Sequence, residues 1–293
     1  MRLEITATRS LTFDDGSPVR AASAIVAYAD GWLIAQDDST YAAHWRAGSV
    51  VPFRLLDPVD GLDSFSSDEG TKHLKPDLES ACVLPDGTVA VLGSGSSSAR
   101  CWAVVLGEEA RRVEDLTELY QRVGAALGVP AEVLNLEGAC VVGDHLRWFH
   151  RGLPAGGWPS ASVDLPLGVP VAQALHQAQP TQVLRYDLGS ADGAGLAVTD
   201  AVTLADGLVL VSAAAEDSPN AYDDGPVVGS ALVLLDRDEV VGRVEIPPLH
   251  GRVAKVEGLA VVDEHASGVR LMATIDADDH DSPSPVVELT LRW

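Results

Sequence analysis

An all-β ring of repeats, closed as a single five-bladed β-propeller, is the fold class this sequence predicts, and three observations predict it. Five times a short apolar strand is followed by a turn and a second strand: SAIVAYADG from Ser23, ESACVLPDG from Glu79, EGACVVGDH from Glu137, DAVTLADG from Asp200 and EGLAVVDEH from Glu257. Two of these nearly coincide, LESACV at 78–83 and LEGACV at 136–141, and self-similarity at a fixed phase marks a repeat architecture. Finally, the last repeat is one strand short while a spare strand stands at the N-terminus. Pairing the two closes the ring and hides its edges, which are otherwise aggregation sites.

The strands follow from β-branched and apolar runs bounded by Gly, Asp and Pro. The first unit holds 23–29, 32–36, 41–46 and 50–55, and the second holds 79–84, 88–92, 100–106 and 110–115. One helix is expected over 116–127, where Leu116, Leu119, Tyr120, Val123 and Leu127 recur at helical spacing until Gly128 and Pro130 stop it. The third unit has 137–142 and 145–150, then a long Gly/Pro-rich loop, then 182–188 and 195–199. The fourth has 200–204, 208–214, 230–235 and 240–246; the fifth has 257–262, 269–275 and 286–291, with 2–11 as the closing strand. Five four-stranded blades account for nearly every strand, with six the alternative. Residues 1–293 read as one domain, with lid-like insertions at 57–75 and 151–180 leaving the ring on one face.

Composition narrows the function. Of 293 residues, 46% are hydrophobic, ample for a core. Lys and Arg number 20 against 43 Asp and Glu, a formal charge of −23. That field repels nucleic acid and anionic membranes, and it suits a neutral or cationic small molecule or a metal ion. The first residues alternate and carry charge, unlike a signal peptide, and no run approaches the roughly 18 apolar residues that span a bilayer. Three cysteines without framework spacing indicate a reducing, cytoplasmic setting. Cys82 and Cys140, each three residues after an acid, are expected to pack between blades.

In a propeller the innermost strand starts where the second strand ends. Ser23, Glu79, Glu137, Asp200 and Glu257 are therefore expected at one mouth, beside Gln36 and Asp37, Ser94 and Ser96, His150 and Arg151, Glu216 and Asp217, and Asp276 and Asp278. The preceding loops add His73, Lys75, Asn135 and Lys255. Crowded carboxylates take up protons or demand a cation. Calcium, with six to eight oxygen ligands, suits Glu79, Glu137, Asp200 and Glu257 completed by Asp276 or Asn135. Zinc fits less well, since only His73 and His150 offer nitrogen. The competing arrangement neutralises the acids with Lys75, Arg100, Arg151 and Lys255 and needs no metal. Any one acid at a strand head can also simply cap a neighbouring blade's amides. The stretch GSGSSSAR at 93–100 lacks the lysine and helix of a phosphate loop and reads as a turn. No G-x-S-x-G elbow is present.

The EG strand starts, the DG turn and the acidic channel resemble the calcium-dependent propellers of the gluconolactonase/regucalcin, paraoxonase and phytase-like esterase groups. KPDLESACVLPDGTVAVLGSGSSSAR, at 75–100, looks most like bacterial propellers of that superfamily. The resemblance implies a central metal that polarises an ester, lactone or phosphoester oxygen, with Glu79, Glu137, Asp200 and Glu257 matching the blade-start acids. On that footing His150 is the first choice of general base, His73 the second, and Glu137 the acid beside them. Lys75, Arg100, Arg151 and Gln36 would orient the substrate. Those propellers have six blades and use Asn among their ligands, whereas this chain shows five blades and mostly Glu. Two other functions fit the same face: a non-catalytic propeller that binds a small molecule or protein, and a natural-product enzyme performing isomerisation or elimination.

Overall fold

A computed structural model describes residues 1–108, 110–168, 171–216, 225–276 and 282–293. Strand β1 (Arg2–Ser10) precedes the first blade, which is β2 (Ala22–Tyr28), β3 (Gly31–Gln36), β4 (Tyr41–Arg46) and β5 (Ser49–Arg54). The second blade is β6 (Leu78–Val83), β7 (Val89–Gly93), β8 (Trp102–Leu106) and β9 (Arg111–Asp115), followed by helix α1 (Thr117–Leu127). The third is β10 (Leu136–Val142), β11 (His145–His150), β12 (Ser160–Pro166) and β13 (Gln182–Tyr186), with helix α2 (Val171–Gln177) between its last two strands. The fourth adds a short β14 (Ser190–Ala191) beside β15 (Ala194–Thr203), then β16 (Val209–Glu216), β17 (Val227–Asp236) and β18 (Glu239–Glu245). The fifth is β19 (Lys255–His265), β20 (Gly268–Asp276) and β21 (Pro285–Arg292), completed by β1. The five-bladed ring and its closing strand are as expected: β1 runs antiparallel to β21, Arg2 opposite Arg292.

Cohesion comes from five apolar clusters, one between each pair of adjacent blades. Between blades two and three, α1 inserts Leu119, Tyr120 and Val123, all buried, and Tyr120 meets Trp148 edge-on at 4.8 Å. The helix ends as expected at Gly128, whose φ of 72° is the left-handed conformation glycine adopts without strain. Cys82 and Cys140 are buried in the clusters flanking blade three.

The stretch 151–180 is no plain lid. Its residues 160–166 form β12, buried nearly throughout and paired with β11 and β13. The connection 151–159 leaves on the side where β11 ends, whereas α2 lies on the side where β12 ends. Flanking Pro159 and Pro166 and the pair Gly156–Gly157 give this strand the look of a loop in sequence. Residues 195–199, expected as an outer strand of blade three, belong instead to β15 of blade four.

Each innermost strand carries a β-bulge near its start. The ladder slips across Ser23 in β2, Glu79 in β6, Glu137 in β10, Thr199 in β15 and Glu257 in β19. The equivalent residue of the fourth blade is thus Thr199, not Asp200, and a shift of one residue turns a side chain to the opposite face of a strand. Two bulges precede a glycine for a steric reason. A Cβ on Gly138 would stand 3.1 Å from the Cα of Asp200, and one on Gly258 would stand 2.8 Å from the amide of Ile25 in the adjoining blade.

Candidate active site at the axial mouth

A cavity of about 550 Å³ opens at the mouth of the ring where the innermost strands begin. Among the described residues its wall carries seven carboxylate side chains, Asp37, Asp77, Glu79, Glu132, Glu137, Glu257 and Asp276, against five from Lys and Arg. Three bulges deliver Glu79, Glu137 and Glu257, and the residue two before each bulge shares its face: Asp77, Asn135 and Lys255. The ends of the second strands add Asp37, Arg151 and Asp276.

Protein cations neutralise most of this charge. Lys75 Nζ donates to Asp37 at 2.5 Å and to Asp77 at 2.7 Å, and Arg100 donates to Asp77 at 2.9 Å. Across the cavity Arg151 joins Glu137 at 3.0 Å to Glu216 at 2.6 Å, and Lys255 joins Glu216 at 2.8 Å to Glu257 at 2.9 Å. The four cations of the competing arrangement are thus all ion-paired within the wall.

Proton affinities diverge over short distances. Carboxylate oxygens of Asp37, Asp77 and Glu79 approach within 4.8 Å of one another. Burial, offset only in part by Lys75, pushes Asp37 up to about 6. Burial also opposes ionisation of Asp77, but Lys75, Arg100 and the Ser94 hydroxyl outweigh it and hold that carboxyl at about 2. Glu79 stands well above the usual carboxylate range, through burial and then the charges of Asp77 and Asp37. In the other half, burial raises Glu257 to about 8 despite Lys255. Glu216 is held below its ordinary value because Arg151 and Lys255 together overcome burial.

Of the residues given a catalytic, substrate-orienting or metal-binding role from the sequence, Glu79, Glu137, Glu257, Asp276, Asn135, Lys75, Arg100, Arg151 and His73 line this cavity. Three do not. Asp200, one residue past the bulge, points between blades, where its Oδ2 accepts the Leu259 amide at 2.7 Å. His150 is fully buried behind the wall, with Nδ1 on the Asn135 backbone at 3.0 Å, and burial drives it down to about 4, so it stays neutral. Gln36 is a structural clamp that accepts from the Arg20 amide and donates to the Tyr41 carbonyl. His73 sits exposed at the rim with Nδ1 on the Gly70 carbonyl at 3.1 Å. Asp217 and Asp278 lie outside the described residues. Asp77 escaped the sequence reading, yet Lys75, Asp77 and Glu79 alternate and so share a face.

The calcium donor set does not converge on one point. Asp200 faces away, Glu137 and Glu257 are bound by Arg151 and Lys255, and the one acidic triad among the described residues close enough to share an ion already holds the Lys75 ammonium. This donor set does not fit the metal that the resemblance implies.

A model for the family described as "Family of unknown function (DUF6929)" matches residues 18–291. The chain belongs to that family. No curated protein matches. Among solved structures, the glutaminyl cyclase of Myxococcus xanthus is 11% identical with a TM-score of 0.54, over 99% of this chain and 96% of that one. A mannose phosphorylase of Leishmania mexicana in complex with a phosphate ion is 13% identical with a TM-score of 0.50, over 99% and 89%. The α-L-arabinanase of Cellvibrio cellulosa is 11% identical with a TM-score of 0.49, over 94% and 93%. At such identities the likenesses to the glutaminyl cyclase and the mannose phosphorylase speak to the fold alone. Among the described residues no helix is long and apolar enough to cross a membrane.

Proposed function

We propose that the protein is an enzyme that hydrolyses a small neutral or cationic ester or lactone at the axial cavity by general acid–base catalysis. The observation that carries this reading is the Asp37–Asp77–Glu79 triad, whose three carboxyls lie within 4.8 Å yet are held in different protonation states. Environments that push neighbouring acids apart mark out the acid and the base. In this scheme Asp37 removes a proton from water as its oxygen attacks the acyl carbon. The C–O bond breaks, and Glu79 gives its proton to the departing oxygen. Asp77, anchored by Lys75 and Arg100, keeps a fixed negative charge that holds the Glu79 proton in place. The excess of carboxylates disfavours a phosphoester.

A panel of nitrophenyl esters and lactones tests the scheme on wild type, D37N and E79Q. Each substitution is expected to lower kcat/KM at least about 100-fold, the usual scale of one acid or base. Activity should fall below about pH 6 as Asp37 takes up a proton, and fall again at high pH as Glu79 loses its own. Equal turnover by all three proteins would sink the scheme. An isomerisation or elimination enzyme would use the same pair for proton abstraction and return. A protein that binds without turnover would show affinity changes in E79Q and no rate to lose.

A further inference from the structure

Two of the three bulge glutamates hold a protein cation: Glu137 bonds Arg151 at 3.0 Å, and Glu257 bonds Lys255 at 2.9 Å. Glu79 breaks the pattern. It lines the cavity half-buried, and among the described residues its carboxyl group makes neither a hydrogen bond nor an ion pair. Its neighbour on β10 shows the matching deficiency. Glu137 is only 4% exposed; its Oε1 accepts from Asn135 at 2.7 Å and from Arg151, while its buried Oε2 has no partner. A buried carboxylate oxygen without a donor is costly, and such a group in native protein calls for an explanation.

We infer that the cavity takes a ligand bearing a primary ammonium group, seated between Glu79 and Glu137. This rests on the reading of the cavity as the working site. The wall already shows the chemistry twice, since the ammonium groups of Lys75 and Lys255 each span two carboxylates at 2.5–2.9 Å. Val133 and Leu134, in the segment leading into β10, give the ligand's carbon chain an apolar wall. A metal suits the gap poorly, because two glutamates fall far short of the six to eight oxygens calcium takes. An anion meets the excess of carboxylates. Glu79 holds its proton through burial and the charges of Asp77 and Asp37. An arriving ammonium favours the ionised form, so binding expels that proton to solution and leaves Glu79 none to give a departing oxygen: an amine held here blocks ester turnover and is not itself the ester's acyl or alcohol part.

Calorimetry at pH 7 in two buffers of different ionisation enthalpy reads both events. The probes are methylamine, ethanolamine and 1,4-diaminobutane, with 1,4-butanediol and calcium chloride as contrasts. At least one amine is expected to bind saturably, with a buffer-dependent heat that reports proton release, while the diol stays inert. E79Q, checked for an unchanged melting temperature, should bind the amine about tenfold to a hundredfold more weakly, the scale of a charge-assisted hydrogen bond, and release no proton. Failure of all three amines, equal binding by E79Q, or calcium binding in their place would overturn the inference. Ester turnover in a protein that ignores the amines would overturn this inference and leave the proposed function standing. Amine binding without turnover of any ester would do the reverse.

Discussion

The five bulges share one backbone geometry and divide into two kinds of work. At the neutral bulges the side chain ties the ring together: Ser23 donates to the Leu78 carbonyl of the next blade at 2.5 Å, and Thr199 donates to the Val256 carbonyl of the next blade at 2.5 Å. At the acidic bulges, Glu79, Glu137 and Glu257 turn to the cavity and depend on cations or protons to be tolerated there. The same repeat position therefore serves cohesion in two blades and chemistry in three. A carboxylate could not donate to the carbonyl that Ser23 and Thr199 reach, so the two roles exclude one another at any one bulge.

The sharpest way to break this contrast is Arg151→Ala. It strips the shared cation from Glu137 and Glu216, both nearly inaccessible, and should cost about 3–5 kcal/mol in a denaturant titration, the usual penalty for orphaning a buried charge. A loss under 1 kcal/mol would show that the acids on that side rest easily without it. Next comes pH. The Glu257 carboxyl has an ordinary value of 4.5 and stands at about 8 in the folded chain, so folding takes up a proton there. Its contribution to stability is fully present below 4.5 and is lost as pH rises through about 8. Melting temperature should accordingly decline between those limits, and E257Q should flatten the decline; a parallel curve for the variant would contradict it. The smallest effect belongs to the neutral bulges. Ser23→Ala and Thr199→Val each remove one interblade hydrogen bond, at a cost of about 1 kcal/mol with ester turnover unchanged. A large loss of turnover in either would erase the division of labour.

Much of the ring was legible because each blade must bury an alternating pattern, and that pattern repeats. The mouth was legible where an acid and its neighbours recur, as at Glu79, Glu137 and Glu257. The fourth blade misled because Asp200 stands one residue beyond its bulge. Glu79 lies eight residues before the turn glycine Gly87, and the same interval back from Gly207 reaches Thr199. The turn carries the register; the charge does not. His150 misled for a different reason, since strand alternation sends it behind the wall while its neighbour Arg151 reaches the cavity. Proton affinities lay beyond the sequence, because they arise from burial and from charges on other blades.

The pairing of β1 with β21 has a consequence for the chain as it is made. The first strand emerges from the ribosome long before its partner exists, and it must wait, unpaired, through the synthesis of every blade. Its sequence, RLEITATRS, suits that wait, because Arg2, Glu4, Thr6, Thr8 and Arg9 interrupt any apolar run that could recruit another nascent chain. The latch is thus safe while open, and it shuts only after residues 285–292 have been made.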